Sequence, residues 1–398
     1  MELPSGFTAH VGHIGIRDDS TDFAIVAASG VTTASARFTR SRFAGPSVEV
    51  SRRSMADEQL RAVVVVSKNA NVATGPTGLA DAEELAERVG DLVGGMATDV
   101  LVTSTGVIGR PYPMDRVRAY LDGIAGAEWT DRFPVTDATV VASAMMTTDT
   151  VPKVAEARVG ECRVVGVAKG VGMIEPDMAT MLAFVFTDAE LPAAELDRVF
   201  GSVVDRTFNS LSVDTDTSTS DTAAVLASGL AGPVDTAAFA AGLEDVCVSL
   251  TRQLASDGEG AETLIVVRVE GARDDDQARR AAKSVVNSPL VKTAVHGADP
   301  NWGRVAMASG WACRRGASRG RARLWPAAGW RWPSANCPMT SISINRPFRF
   351  VLVTTRCTPE CPTRPAWNRW PSTCVATRFT LAWTSASPMG PGRSMDAT

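Results

Sequence analysis

The chain has 398 residues, 45% of them hydrophobic and 21% charged, with a formal net charge of −4. That length allows two domains with a sizeable core, and the composition is ordinary for a globular protein. No run of about 18 apolar residues occurs, so no hydrophobic membrane span is expected. The opening MELPSGFTAH has no basic region followed by an apolar stretch, which argues against a secretory signal and gives a cytoplasmic location as the expectation.

In chain order, FAIVAAS (23–29) and AVVVVS (62–67) are β-rich runs bounded by Asp, Ser and Gly. Ser67–Gly75 reads as a polar loop in which Asn69 and Asn71 hold the backbone. Ala82, Leu85, Ala86, Val89 and Leu92 then recur at helical spacing within residues 80–93. This alternation of strand and helix predicts an α/β protein of mixed sheets with flanking helices. DVLVTSTGVIG (99–109) is an apolar strand running into Ser104, Thr105 and Gly106. An ordinary turn explains that ending. Equally, a glycine after a hydroxyl residue lets a backbone N–H approach a ligand closely.

Met145–Thr150 is a second hydroxyl cluster, and Ser, Thr and Asp there can satisfy their own loop backbone. VVGVAK (164–169) is a strand ending on Lys169, where a lysine is most simply a solvated charge. Glycine and proline then crowd KGVGMIEPDMATMLAF (169–184), and apolar residues resume at Met181. Thr180 thus stands at the mouth of a buried strand. It either merely ends the loop or is a nucleophile that first cuts its own chain. In the second reading its hydroxyl attacks the carbonyl of Ala179, and hydrolysis of the resulting ester leaves Thr180 at a new N-terminus. A free α-amine of pKa about 8 could then take the proton of its own hydroxyl.

Two further helices are expected over residues 194–208 and 234–254. Between them, Asp214–Asp221 lacks the glycine and glutamate of a calcium loop and reads as a hydrogen-bonded structural segment. Ser256–Gly260 precedes the strand LIVVRV (264–269), with Glu259 between two glycines. The acidic run 274–276 opens a helix over 277–286. The histidines are His10, His13 and His296, and this scarcity favours a terminal amine over a histidine base. No phosphate-binding or dinucleotide-binding glycine motif appears, so no cofactor is expected.

Residues 311–398 break the pattern. They hold 13 Arg, no Lys and only Glu360 and Asp396, a net +11 against −15 for the rest, with seven of nine Trp and five of seven Cys. Prolines interrupt them and no helical or strand period is read there. Arg without Lys, among Trp, Pro and Cys, is what a GC-rich gene gives when read out of frame. A frameshift product with no packed domain is therefore the expectation. Cys357 and Cys361 lack a matching second pair, and no metal site is read from them.

Several strings together, SKNANVATG, STGVIGRPYPM, MMTTDT, KGVGMIEPDMATMLAF, DTDTSTSDTA, SDGEGA and VVNSPLVKTAVHGADPNWGR, resemble the ornithine acetyltransferases. The detail is especially similar to the paralogue found in clavulanic acid gene clusters. The resemblance runs from about residue 5 to about residue 310. It implies a self-processing two-domain α/β acyltransferase fold related to the aminopeptidases, cut between Ala179 and Thr180. The chains would be 1–179 and 180–310, the latter followed by the anomalous 311–398, and would assemble as two α and two β subunits. It implies transfer of acetyl from N-acetylornithine to glutamate by way of Thr180, without cofactor or metal. By the same resemblance the Thr105 side chain and Gly106 N–H face the oxyanion, and Thr147, Lys169 and Glu259 contact substrate. Family members end with an Asn and a Thr or Ser that complete the pocket, which Ser394–Thr398 does not match. A self-cleaving amidase or aminopeptidase, and an inactive assembly protein, remain open alternatives.

Overall fold

Runs of β-branched residues set the strands, and the breaks between them set the helices. The computed structural model describes residues 1–16, 20–174, 181–270, 272, 274–315, 342–345, 349–356 and 376–384, with side chains up to residue 310. Ala179 and Thr180 lie outside the described residues. The chain divides into two units, Met1–Ala261 and Glu262–Thr398.

In the first unit the order is β1 (Phe7–Gly12), β2 (Phe23–Phe38), α1 (Pro46–Ser54), β3 (Gln59–Asn69), α2 (Gly75–Leu92), β4 (Val100–Val107), α3 (Met114–Ala125), α4 (Trp129–Arg132) and α5 (Ala138–Met145). It continues with β5 (Lys153–Val159), β6 (Cys162–Lys169), β7 (Leu182–Glu190), α6 (Ala193–Arg206), β8 (Thr222–Pro233) and α7 (Thr236–Ser256). The expected elements are present with shifted ends. The helix expected over 80–93 begins earlier because Pro76 fits a first turn, where its missing N–H has no partner to lose.

The strands form one mixed sheet in the order β4-β3-β2-β8-β7-β6-β5, with β1 beside β2. β2 is shared: Phe23–Ala27 pair with β3, the register breaks between Ala27 and Thr32, and Thr33–Phe38 pair with β8. The two wings on either side of that break face each other. Val63, Val65 and Leu101 of one wing share a dry core with Val165, Val167, Phe184 and Phe186 of the other, and α5 joins it. Each fully buried Phe there is worth roughly 1.5–3 kcal/mol. α2 and α3 cover the outer face of the first wing through Leu85, Val89, Val117 and Leu121. α6 and α7 cover the second through Phe200, Val203, Phe239 and Leu243. The result is four layers, helix, sheet, sheet, helix. β7 pairs β6 on one side and β8 on the other, so the segments before and after residue 180 belong to one sheet.

In the second unit β9 (Thr263–Glu270) is followed by α8 (Asp275–Val286), α9 (Pro289–His296), α10 (Trp302–Arg315), β10 (Ile342–Asn345), β11 (Arg349–Arg356) and β12 (Ala376–Thr384). The sheet order is β10-β12-β11-β9. Val267 and Val269 of β9 contact a small core of Ala281, Val285, Val291, Val305 and Ala308. The expectation that 311–398 carries no strand pattern is corrected for three segments. Phe379, Leu381 and Trp383 alternate with period two, and Phe350–Thr355 is a β-rich run. Cys357 and Cys361 lie outside the described residues. Among the described residues no helix is long and apolar enough to cross a membrane.

Candidate active site

The C-terminal end of β4 carries the first pair of candidate residues. Thr105 is 7% exposed. Gly106 follows with φ +131°, and a Cβ there would lie 2.2 Å from the Lys68 carbonyl carbon and 2.5 Å from its Cα. Only glycine fits such an approach. The neighbouring loop is held as expected. Asn69 donates to Pro111 O at 2.9 Å and accepts from Asn71 N–H at 2.8 Å, while the Asn71 amide donates to Gly78 O at 2.7 Å.

Lys169 ends β6 on the opposite wing, in register with Leu182 at the start of β7. It is 4% exposed, and its Nζ donates to Thr105 Oγ1 at 3.0 Å. A lysine ammonium has donors and no acceptor, so the Thr105 oxygen accepts and its own hydrogen must point elsewhere. Burial lowers the Lys169 pKa. The Asp149 charge opposes that shift, Lys153 adds to it, and Asp221 opposes it. This buried lysine departs from the solvated charge that a strand end suggests.

Behind Lys169 lies a buried charge network that the sequence reading missed. Asp149 Oδ1 accepts from Lys153 Nζ at 2.7 Å and from Gly170 N–H at 2.6 Å, and its Oδ2 accepts from Thr147 N–H at 3.1 Å. Lys153 is fully buried and reaches Asp257 at 2.6 Å. Asp257 in turn accepts from the Thr150 N–H at 3.1 Å and from its hydroxyl. Burial would raise the Asp149 pKa, but Lys169, Lys153 and the Gly170 N–H outweigh it and hold the carboxyl below its ordinary range. The one sequence signal was the spacing of Asp149 and Lys153, four residues apart, which resembles any local pair.

The remaining candidates line the same loops. Thr147 is half-buried beside Asp149. Glu259 is exposed, and its N–H donates to Val171 O at 2.7 Å. A Cβ added at Gly172 would lie 3.1 Å from Glu259 Oε2 and 3.6 Å from Asp214 Oδ2, so two carboxylates converge over that glycine. Asp214 accepts from the N–H groups of Met173 and of Ile174, the latter at 2.7 Å, as the structural reading of its segment predicts. Asp221 differs from its neighbours. It is 1% exposed and neither carboxylate oxygen accepts a hydrogen bond of normal geometry. Burial raises its pKa well above the usual carboxylate value, against the nearby Met181 N–H, Lys169 and Ser218.

Thr105 and Gly106 at the end of β4, Lys169 at the end of β6, and Thr147 and Glu259 on loops are therefore all placed in the first unit. His10 and His13 make other contacts within the first unit, and His296 belongs to the second. His10 bonds Arg132 O and the Tyr120 hydroxyl, each at 2.7 Å, and His13 bonds Ser20 O at 2.8 Å. His296, at the end of α9, lies 3.7 Å from Glu262 within the second unit.

Fold and site define an α/β protein with a polar centre at its strand ends, built from a hydroxyl, a glycine of constrained backbone and a buried lysine. The chain belongs to the ArgJ family, whose model matches residues 8–324, somewhat past the point where the motif resemblance was read to end. It is 54% identical over 313 residues to the glutamate N-acetyltransferase Oat2 of Streptomyces clavuligerus, covering 78% of each chain. It is 54% identical over 308 residues to the arginine biosynthesis bifunctional protein ArgJ of Rhodococcoides fascians, covering 77% of this chain and 75% of that one. Among solved structures, the ornithine acetyltransferase of Mycobacterium tuberculosis, complexed with ornithine, matches at 29% identity and a TM-score of 0.37. That match covers 44% of this chain and 95% of the other.

Proposed function

We propose that this chain is a glutamate N-acetyltransferase that moves acetyl from N-acetylornithine to glutamate through Thr180. The observation that carries the reading is the donation from buried Lys169, in register with Leu182 at the start of β7, to Thr105 Oγ1. It leaves the Thr105 hydrogen available beside the Gly106 backbone, the two donors that a developing oxyanion needs. The names of the relatives support the substrates.

The chain first cuts itself. Thr180 Oγ adds to the Ala179 carbonyl carbon, the peptide C–N bond breaks, and the ester formed is hydrolysed to an Ala179 carboxylate and a Thr180 α-amine. In transfer, that amine takes the Thr180 hydroxyl proton as Oγ adds to the acetyl carbon. The negative charge on the acetyl oxygen faces Thr105 and Gly106. The donor amine leaves with the proton, and the acetyl-threonine then passes its acyl group to the α-amine of glutamate. Thr147 and Glu259 contact the amino-acid substrates in this reading, with Glu259 facing an amine. Lys169 lies in the same pocket. The cut halves assemble as two α and two β subunits in the cytoplasm, and the relatives' role in arginine biosynthesis extends to this chain; service in a clavam-type pathway is the second possibility.

N-terminal sequencing of the purified protein, with turnover of N-acetylornithine in the presence and absence of glutamate, tests the proposal. A new N-terminus at Thr180 and glutamate-dependent release of ornithine are expected. An uncut folded chain overturns the mechanism, and release without glutamate identifies an amidase instead.

A further inference from the structure

Among the buried acids described in the first unit, Asp221 stands apart. Asp22 accepts from the Ile14 and Ile16 N–H groups, each at 2.7 Å. Asp188 accepts from the Arg163 N–H at 2.7 Å, and Asp149 is fixed by Lys153 and the Gly170 N–H. Asp221 is as deeply buried, yet neither carboxyl oxygen has a hydrogen bond of normal geometry. Its backbone is pinned all the same. Thr39 N–H donates to Asp221 O at 3.0 Å, and the next residue, Thr222, donates its N–H to Met181 O at 3.1 Å. β7 and β8 run parallel with Leu182 opposite Thr222, which sets Asp221 beside Met181, and the Met181 N–H faces the carboxyl. Met181 follows Thr180 in the chain. Bond lengths alone keep the Thr180 nitrogen within about 4 Å of the Met181 nitrogen, whatever the conformation between them. An unpartnered carboxyl is thus held against the residue that follows the bond broken in self-cleavage. Burying such a group without partners costs stability, so packing gives no reason for it.

We propose that Asp221 carries the proton in the self-cleavage step: one carboxyl oxygen takes the Thr180 hydroxyl proton, and the other delivers its own proton to the Thr180 nitrogen as the Ala179–Thr180 bond breaks. The proposal rests on the self-cleavage reading and deepens it. The step needs such a carrier, because the attacking hydroxyl must lose a proton and the departing nitrogen must gain one. Before the cut that nitrogen is an amide and cannot act as a base. Thr180 Oγ bonds to the Ala179 carbonyl carbon while its proton passes to the Asp221 carbonyl oxygen. The C–N bond then breaks, its electron pair stays on nitrogen, and the Asp221 O–H gives that nitrogen its proton. An ester and an amine result, and the carboxyl ends neutral with its proton on the opposite oxygen. Burial favours this neutral form, against the Met181 N–H, Lys169 and the Ser218 hydroxyl that face it. A neutral carboxyl has both a proton to give and a lone pair to receive one, whereas an amide of the same shape cannot pass a proton on.

The test follows cutting of the full chain, freshly translated and pulse-labelled, on denaturing gels. Asp221→Asn should fold, with a cooperative melt like that of the uncut Thr180→Ala chain, and should cut roughly 10²–10⁴-fold more slowly than wild type, the usual loss on removing a general acid–base. Hydroxylamine, which cleaves esters, identifies the step. It should not release the two chains from Asp221→Asn, because without the carrier the ester does not form. Cutting of Asp221→Asn at the wild-type rate overturns the proposal while leaving the self-cleavage reading intact. Release of the chains by hydroxylamine also overturns it, because it would place Asp221 in hydrolysis of the ester instead. A folded wild-type chain that stays uncut sinks the self-cleavage reading, and the proposal with it. Should Asp221→Asn not fold, Asp221→Ser, which is smaller and also cannot ionise, is carried through the same two measurements with the same outcomes.

Discussion

Lys153 Nζ meets Asp257 at 2.6 Å, joining residues 104 positions apart in sequence with no solvent at the ammonium. The contact ties the loop carrying Thr147 and Asp149 to the turn carrying Glu259, and Asp149 extends it to Gly170. Charged side chains this buried stabilise little as a set, because desolvation offsets their attraction. Removing one partner leaves the others stranded.

Lys153→Met should therefore destabilise the protein by about 3–5 kcal/mol, because it leaves Asp149 and Asp257 buried with no lysine between them. Denaturant unfolding measures this. A midpoint unchanged from wild type would mean that the network reorganises freely and does not hold the loops.

Thr105→Ala should lower kcat by roughly 10²–10³, the usual loss on removing one oxyanion donor. Steady-state kinetics of acetyl transfer give the answer. A change confined to KM would assign Thr105 to ground-state binding.

Gly106→Ala tests the backbone itself. The added methyl would meet the Lys68 backbone at 2.2 Å, at a φ of +131° that L side chains rarely adopt. Backbone atoms cannot step aside as a side-chain end can, so the β3 and β4 ends must separate. Loss of stability together with nearly complete loss of transfer is expected, by thermal unfolding and kinetics. A stable variant with ordinary kcat would show that the Gly106 N–H need not be where it is.

The layers were legible because period and β-branching survive in single strings. AVVVVS became β3, VVGVAK became β6, and the apolar spacing of 194–208 became α6 within two residues. The candidates Thr105, Gly106, Thr147, Lys169 and Glu259 came from family resemblance and not from spacing or period. The Asp149, Lys153 and Asp257 network was not, because its partners meet only after β5 and the end of α7 are brought together, and no local spacing encodes that. The strands of the Arg-rich stretch were hidden differently. Their alternation is short and set among prolines, so composition spoke louder than period.

Asp221 gives a pH prediction whose sign follows from its burial. Its folded pKa is raised by desolvation, against the Met181 N–H, Lys169 and Ser218. A carboxyl raised on folding favours the native state fully below the unfolded value, about pH 4, and that contribution is lost as pH climbs through the raised folded value. Asp149 runs the other way. Its folded pKa is lowered, so its contribution is present above the unfolded value and is lost only as pH falls through the lowered one. The two windows lie on opposite sides of about pH 4 and can be read separately. Asp221→Asn cannot ionise and has nearly the same shape. Relative to wild type, its melting temperature should differ little at about pH 4 and become progressively higher toward about pH 8. Calorimetry across that range measures the difference. An offset that is constant with pH, or a variant less stable at neutral pH, would mean that the carboxylate finds partners on folding and does not remain stranded.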